Sequence, residues 1–412
     1  MKYQNRVLGM LSLLAVITML DRVCIAVAGP RMQDALHISP QGWGWVSSAF
    51  FLSYSLFEVP TGALSDRIGP RRVLTRIVAW WSVFTTLTGA VSNYPLLLVV
   101  RFCFGAGEAG AYPNISTVIG RWMPLTRRTQ AWGVVLMCGQ VGSALSPLLV
   151  VPIQMRYGWR ASFLVFGILG VAWSVAWYAW FRDTPSEKTG VTEEELAEIG
   201  PAPLGAGHGM SWGMAVRSVD LWRIGGICAC YLYTMGFFQS WLQTYLVKGR
   251  GFSEASLMLS SLTYIVGASA NILGGLTGDW LVKHRGLMQA RRWVGATGLG
   301  AAALFLTAAT FSPNGGVALV FLSLTFGAIL FQQPTLCAIC WDVGRKHSGA
   351  VFGFQNMVGN GAAALSTVVF GYMVTYFHNY SAAFVPMVLL LGLGSVLWTQ
   401  TDPTRELFSR SI

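Results

Sequence analysis

Charge is what this sequence has least of. Acidic and basic residues make up 11% of its 412 residues, against about 25% in soluble globular domains, while 54% are hydrophobic. That balance excludes an ordinary soluble domain. Histidine is scarce as well: the chain has five, none inside an apolar run, so a histidine proton relay is not available. The apolar runs hold no His/Cys/Asp metal spacing and no nucleophile beside a base, so no enzyme, metal or cofactor is expected. All seven cysteines, Cys24, Cys103, Cys138, Cys228, Cys230, Cys337 and Cys340, fall in apolar runs. There they serve as small apolar residues and do not form a secreted disulfide framework. "CAIC" at 337–340 has redox spacing but lacks the βαβ context of a redox motif.

What is present is apolar length. Windows of about 20 apolar residues between polar breaks predict spans near 7–29, 42–64, 73–91, 95–118, 131–152, 160–181, 222–246, 255–281, 290–311, 316–341, 348–374 and 382–401. The expected fold is an all-α polytopic membrane protein, 12 transmembrane helices in a lipid bilayer. The first span is too long for a secretory signal and reads as a retained helix. A net charge of +11 would suggest nucleic acid in a soluble protein, but its distribution is topological. With the N-terminus inside, 21 Lys and Arg fall in cytoplasmic segments and five outside (Arg31, Arg156, Arg160, Lys248 and Arg250), leaving Arg22 and Arg101 within spans. This asymmetry predicts an inner-membrane protein with both termini cytoplasmic, and no nucleic-acid partner.

"GALSDRIGPRR" at 62–72 and "GGLTGDWLVKHRG" at 274–286 both give Gly-x-x-x-Asp and then bases. Gly62 to Asp66 and Gly275 to Asp279 stand nearly half a chain apart. Two six-helix halves in parallel repeat are expected, residues 1–181 and 222–412, joined by a cytoplasmic linker at 182–221. The linker is rich in Pro, Gly and Glu and holds "TEEELAEI", whose early acids suit a helix N-terminus. It is too short for a catalytic domain. "GAGEAG" at 105–110 fits a dinucleotide fingerprint, but it lies inside an apolar span and reads as close helix packing.

Of the 17 acidic residues only Asp21, Glu58 and Glu108 lie within spans away from the loops. Such groups cost on the order of 2.5–3.5 kcal/mol each on insertion scales and so mark function. Arg101 and Glu108 are two turns apart and share one face of the fourth span; Asp21 and Arg22 lie at similar depth in the first. With all four ionised the set is neutral, and an entering carboxylate leaves a net negative charge in a low-dielectric site. Protonating one acid restores neutrality and frees an arginine to clamp the substrate carboxylate in bidentate fashion. Tyr54, Gln140, Gln333, Asn356 and Asn360 are polar at similar depth, the last two as an i, i+4 pair. Glu58, nearer the cytoplasmic end of its span, reads as a structural or gating contact. In the paired loops Asp66 and Arg67, with Arg71 and Arg72, can form charge pairs or cap helix ends that break as the halves rock.

"GALSDRIGPRR" resembles the loop signature of the major facilitator superfamily. "LDRVCIAVA", "SSAFFLSYSLFEVPTG", "RFCFGAGEAGAYPN", "RWMPLTRRTQAWG" and "SGAVFGFQNMVGN" resemble its anion:cation symporter family. The resemblance covers nearly the whole chain and implies proton-coupled uptake of an organic anion, above all a sugar acid (hexonate, hexuronate or aldarate), by a monomer. It implies Asp21 and Glu108 as protonation sites, with Arg22, Tyr54, Arg101, Gln140 and Asn356 or Asn360 holding substrate. Cys337 stands where an aromatic is expected, Gln243 where Pro is commoner, and Glu58 where Gln is more usual. An organophosphate exchanger would place an arginine in each half, and the second half has none buried. A membrane sensor would need an output domain, for which the linker is the candidate.

Overall fold

The computed structural model describes residues 2–200, 218–344, 348–405 and 407, without the side chains of 59, 62–67 and 348–350. The apolar windows become α1 (Tyr3–Ala35), α2 (Pro40–Ile68), α3 (Pro70–Ala90), α4 (Tyr94–Glu108), α5 (Ala111–Trp122), α6 (Arg128–Tyr157) and α7 (Trp159–Trp180). After the linker helix α8 (Glu193–Ile199) come α9 (Val219–Ser240), α10 (Ser261–Arg285), α11 (Leu287–Thr310), α12 (Gly315–Gly344), α13 (Ser348–Phe377) and α14 (Val385–Gln400). With α4 and α5 forming one span, these are twelve transmembrane helices in two six-helix halves.

Eight of the spans are long and apolar enough to cross a membrane by length and composition alone. The others are α2, α3, α4 with α5, and α9, and all four carry buried polar groups of the site. Leu164, Ile168 and Val175 on α7 and Leu389, Leu393 and Val396 on α14 are exposed. An outward apolar surface over helices whose backbone bonds are internal is what a bilayer selects. The protein is a multi-pass integral membrane protein.

Helix ends follow local chemistry. Asn93 caps α4 by accepting from the Leu96 amide at 2.9 Å, and Thr192 caps α8 by accepting from the Glu195 amide at 3.2 Å, each satisfying an orphan first-turn N–H. Helix α8 docks on the chain start: the Gln4 amide donates to Glu195 at 2.7 Å and Lys2 pairs with Glu198 at 2.5 Å. The fourth span, expected to be continuous over 95–118, is broken. Ala109 is extended and Gly110 adopts φ 87°, a left-handed turn that favours glycine, before α5 begins.

The halves meet along an antiparallel seam of α2 and α13. Near the α1–α2 turn a Cβ on Gly44 would stand 2.5 Å from the Thr367 carbonyl oxygen, so glycine permits the backbones to close. Farther along, Ser55 donates to the Met357 carbonyl at 3.1 Å, and Asn356 Nδ2 donates to Glu58 Oε1 at 3.2 Å. Polar contacts lock the α1–α2 end. Arg31 Nε donates to Glu254 at 2.7 Å, Lys248 pairs with Asp34 at 2.7 Å, and Trp43 Nε1 donates to the Ser240 carbonyl at 3.1 Å. At the end bearing the N-terminus, no ion pair among the described residues joins the two halves.

Candidate functional site

The buried positions of α4 are Leu97, Val100, Arg101, Phe104, Gly105 and Glu108. That i, i+3, i+4, i+7 stripe turns both charged residues of the span inward. Gly105 sets how near they come to α2: a Cβ there would collide with Ser53 and stand 2.5 Å from the Phe50 carbonyl oxygen. The "GAGEAG" run therefore does pack closely, and it also supplies the break at Gly110.

Arg22 on α1 donates its Nε to Glu108 Oε1 at 2.5 Å, with the acid 1% exposed. Its guanidinium also lies 4.7 Å from the Tyr54 ring centroid and 5.4 Å from that of Phe50. Arg101 lies 5.1 Å from the Phe50 ring and 4.4 Å from that of Phe104. One aromatic thus serves two guanidiniums, and cation–π contacts of this kind are worth about 2 kcal/mol when desolvated. Asp21, 3% exposed, turns toward the Trp81 indole and Thr85 hydroxyl of α3. Both of its oxygens, Arg22 Nη2, Arg101 Nε and Glu108 Oε2 are buried without a hydrogen-bond partner. Buried polar atoms are ordinarily satisfied. Five orphaned atoms on four charged side chains therefore form a set of donors and acceptors with hydrogen-bonding capacity to spare.

Arg22 and Arg101 line a common cavity of about 10 Å³ with Ile25, Ser47, Phe50, Phe51, Gln239 and Ser240. That is room for roughly one water. An organic anion would enter only with movement of the surrounding helices.

The sequence-derived candidates divide into three groups. Asp21, Arg22, Tyr54, Arg101 and Glu108 come together around this centre. Asn356 lies at the seam on Glu58, and Asn360 donates to the Asn356 carbonyl at 3.0 Å. Gln140 is half-buried on α6, and Gln333 lies away in the second half, where Asn271 donates to it at 2.8 Å. Of the gating candidates, the side chains of Gly62, Asp66 and Arg67 lie outside the described residues. Arg71 is tied within the first half, donating to the Tyr178 carbonyl from Nε at 3.0 Å and Nη2 at 2.6 Å, while its backbone amide donates to Asp183 at 2.8 Å. Gly275 packs toward Pro334, and Asp279 is exposed.

Sequence reasoning missed Phe50, Ser47, Gln239 and Tyr112, whose ring lies close enough to Arg22 to interact with its charge. Tyr112 is four residues after Glu108, and that spacing was its available signal. The other three were hidden because their proximity arises between helices.

A bilayer-spanning bundle of two six-helix halves with a charged centre defines a membrane transporter, not an enzyme. Residues 11–367 match the Major Facilitator Superfamily, and the chain belongs to that superfamily. It is 31% identical over 401 residues to the probable sulfoacetate transporter SauU of Cupriavidus necator, covering 96% of this chain and 93% of that protein. It is 29% identical to the hexuronate transporter of Bacillus subtilis, covering 91% of this chain and 89% of that one. To the probable L-galactonate transporter of Escherichia coli it is 25% identical, covering 96% and 89%. The fold matches the crystal structure of a bacterial homologue of the human lysosomal transporter Spinster in an inward-facing, unoccupied conformation. That match has a TM-score of 0.79 at 18% identity, covering 97% of this chain and 96% of that one.

Proposed function

We propose that this protein is a proton-coupled symporter that imports a small organic anion, a sugar acid foremost, by alternating access. The observation that carries the reading is the Arg22–Glu108 pair beside Arg101, all three with unsatisfied hydrogen-bonding atoms. Protonating Glu108 cancels the charge that holds Arg22. The released guanidinium, with Arg101, then clamps the substrate anion, so proton and anion load together without adding net charge to the site. Asp21 serves as the second proton site. Asn356, Asn360, Gln140 and Gln333 supply neutral contacts for hydroxyls, and the loop residues Gly62, Asp66, Arg67, Arg71, Gly275 and Asp279 serve the rocking of the halves. The positive-inside rule puts both termini in the cytoplasm of a cell membrane, so the locked α1–α2 end faces outward. The protein acts as a monomer and needs no bound metal or organic cofactor.

A second reading, a short dianion such as sulfoacetate, is favoured by two arginines sharing one small cavity and by the name of the 31%-identical relative. The test is proteoliposome uptake of glucuronate, galactonate and sulfoacetate with and without an inward proton gradient. Accumulation that needs the gradient and collapses with an uncoupler supports symport. Saturable uptake indifferent to both contradicts it.

A further inference from the structure

Glu58 is a buried carboxylate, 7% exposed, which the loading scheme above leaves unused. It lies one helical turn from Tyr54 on the same face of α2, and an i, i+4 pair places two side chains as neighbours. Tyr54 carries the Arg22 guanidinium over its ring at 4.7 Å. Arg22 is thus paired with Glu108 on one side, while its Nη2 has no partner and a second carboxylate stands one turn along. Among the described residues Glu58 makes no ion pair; its hydrogen bond comes from the neutral Asn356 of α13, across the seam. Three side chains interact with its charge or face it from the packed elements besides Asn356: Arg22 of α1, Tyr54 of α2 and the Cys228 thiol of α9. Of these Arg22 is the cation.

A lone buried carboxylate is costly unless a cation reaches it. Arg22 is also the group that the symport reading sets free when Glu108 takes a proton. We infer that Glu58 is the alternative counter-ion of Arg22, competing with the substrate anion for it and reporting the exchange to the second half through Asn356. Empty and protonated, the site moves Arg22 from Glu108 to Glu58, and the pull on Glu58 is felt at the Asn356 contact. Loaded, the substrate anion holds Arg22 and Glu58 stays on Asn356. Glu58 is a positioning residue in this scheme. It sets how readily the anion leaves and links occupancy to the seam.

The inference rests on the symport reading, and the experiment separates the two. Purified wild type, Glu58→Gln and Asn356→Ala are titrated with glucuronate, galactonate and sulfoacetate across a pH series, and substrate exchange is timed in proteoliposomes. Glu58→Gln keeps an acceptor for Asn356 but offers Arg22 no charge. It should bind the best of the three anions about fivefold tighter at neutral pH, where wild-type Glu58 carries its charge, the scale of a modest ion pair. The gain should fade in acid as that carboxyl takes a proton, and the variant should exchange the anion more slowly. Asn356→Ala, read with sulfoacetate, which offers Asn356 no hydroxyl, should exchange more slowly with no gain in affinity. Glu58→Gln binding that is unchanged or weaker than wild type while wild type behaves as a symporter overturns this inference alone. Wild-type protein that binds none of the three anions overturns both.

Discussion

The two halves divide the chemistry unequally. The first six spans bury Asp21, Glu58, Arg101 and Glu108 and hold Arg22 largely covered beside them, whereas the middle of the last six is furnished with amides and thiols. Gln333 is held by Asn271, Asn360 by the Asn356 carbonyl, and Gln355 accepts from the Cys340 thiol at 2.6 Å. The described charges of the second half, such as Arg291 with Asp342 at 2.9 Å, sit at helix ends. A charged group inside a bilayer demands a partner or a purpose, and a neutral amide demands only a neighbour. On the symport proposal, charge recognition and proton exchange fall to the first half, and most of the neutral contacts to the second.

The largest break in that comparison should come from Arg101→Ala. Truncating one member of a buried charge cluster costs about 2–5 kcal/mol, so anion affinity should fall by roughly 30-fold or more, as read by titration calorimetry. Gly44→Ala comes next. Its Cβ would meet the Thr367 carbonyl oxygen at 2.5 Å, and overpacking of this kind costs about 1–3 kcal/mol. The variant should open the α1–α2 end, giving faster labelling by an impermeant reagent of a cysteine placed at Ser240.

A smaller effect belongs to the neutral half. Asn360→Ala should raise KM for a polyhydroxylated anion by about three- to tenfold, the worth of one or two neutral hydrogen bonds, while leaving sulfoacetate unaffected. Equal losses for both would contradict the division of labour.

The smallest lies outside both halves. The ion pair with Lys2 holds the Glu198 carboxyl below its usual range, and the same pair raises Lys2. Because the carboxyl is lowered, its contribution to linker docking is present above the ordinary carboxylate range and is lost as pH falls through it. The protection of α8 against hydrogen exchange, referred to the intrinsic rate at each pH, should therefore fall in acid and in high salt. Glu198→Gln should change transport by less than about twofold, as exposed pairs contribute little.

The spans were legible because lipid imposes a length and a composition on each helix, and the four central charges because so few candidates compete with them. Where the sequence stated only a spacing, the outcome depended on the partner helix. Glu108 and Arg101 do share a face, yet the pairing of Glu108 with Arg22 and the turn of Asp21 toward Trp81 depend on how α1, α3 and α4 meet. Gly110 showed the same limit. Among small residues it reads as packing, and its left-handed turn, which ends α4 directly after the acid, is invisible to a hydropathy window. Asn356 was identifiable as polar, but its contact with Glu58 exists only once the two halves are set against each other.

On the symport proposal, Glu108 and the substrate exchange Arg22 between them, with a proton replacing the arginine. Proton uptake on substrate binding tests it most directly, measured with a pH indicator on weakly buffered, purified protein. Wild type should take up about one proton per bound anion, and Glu108→Gln should bind the anion with little or no uptake. Stoichiometric binding by wild type with no proton uptake at any pH, or undiminished uptake by Glu108→Gln, would rule this exchange out.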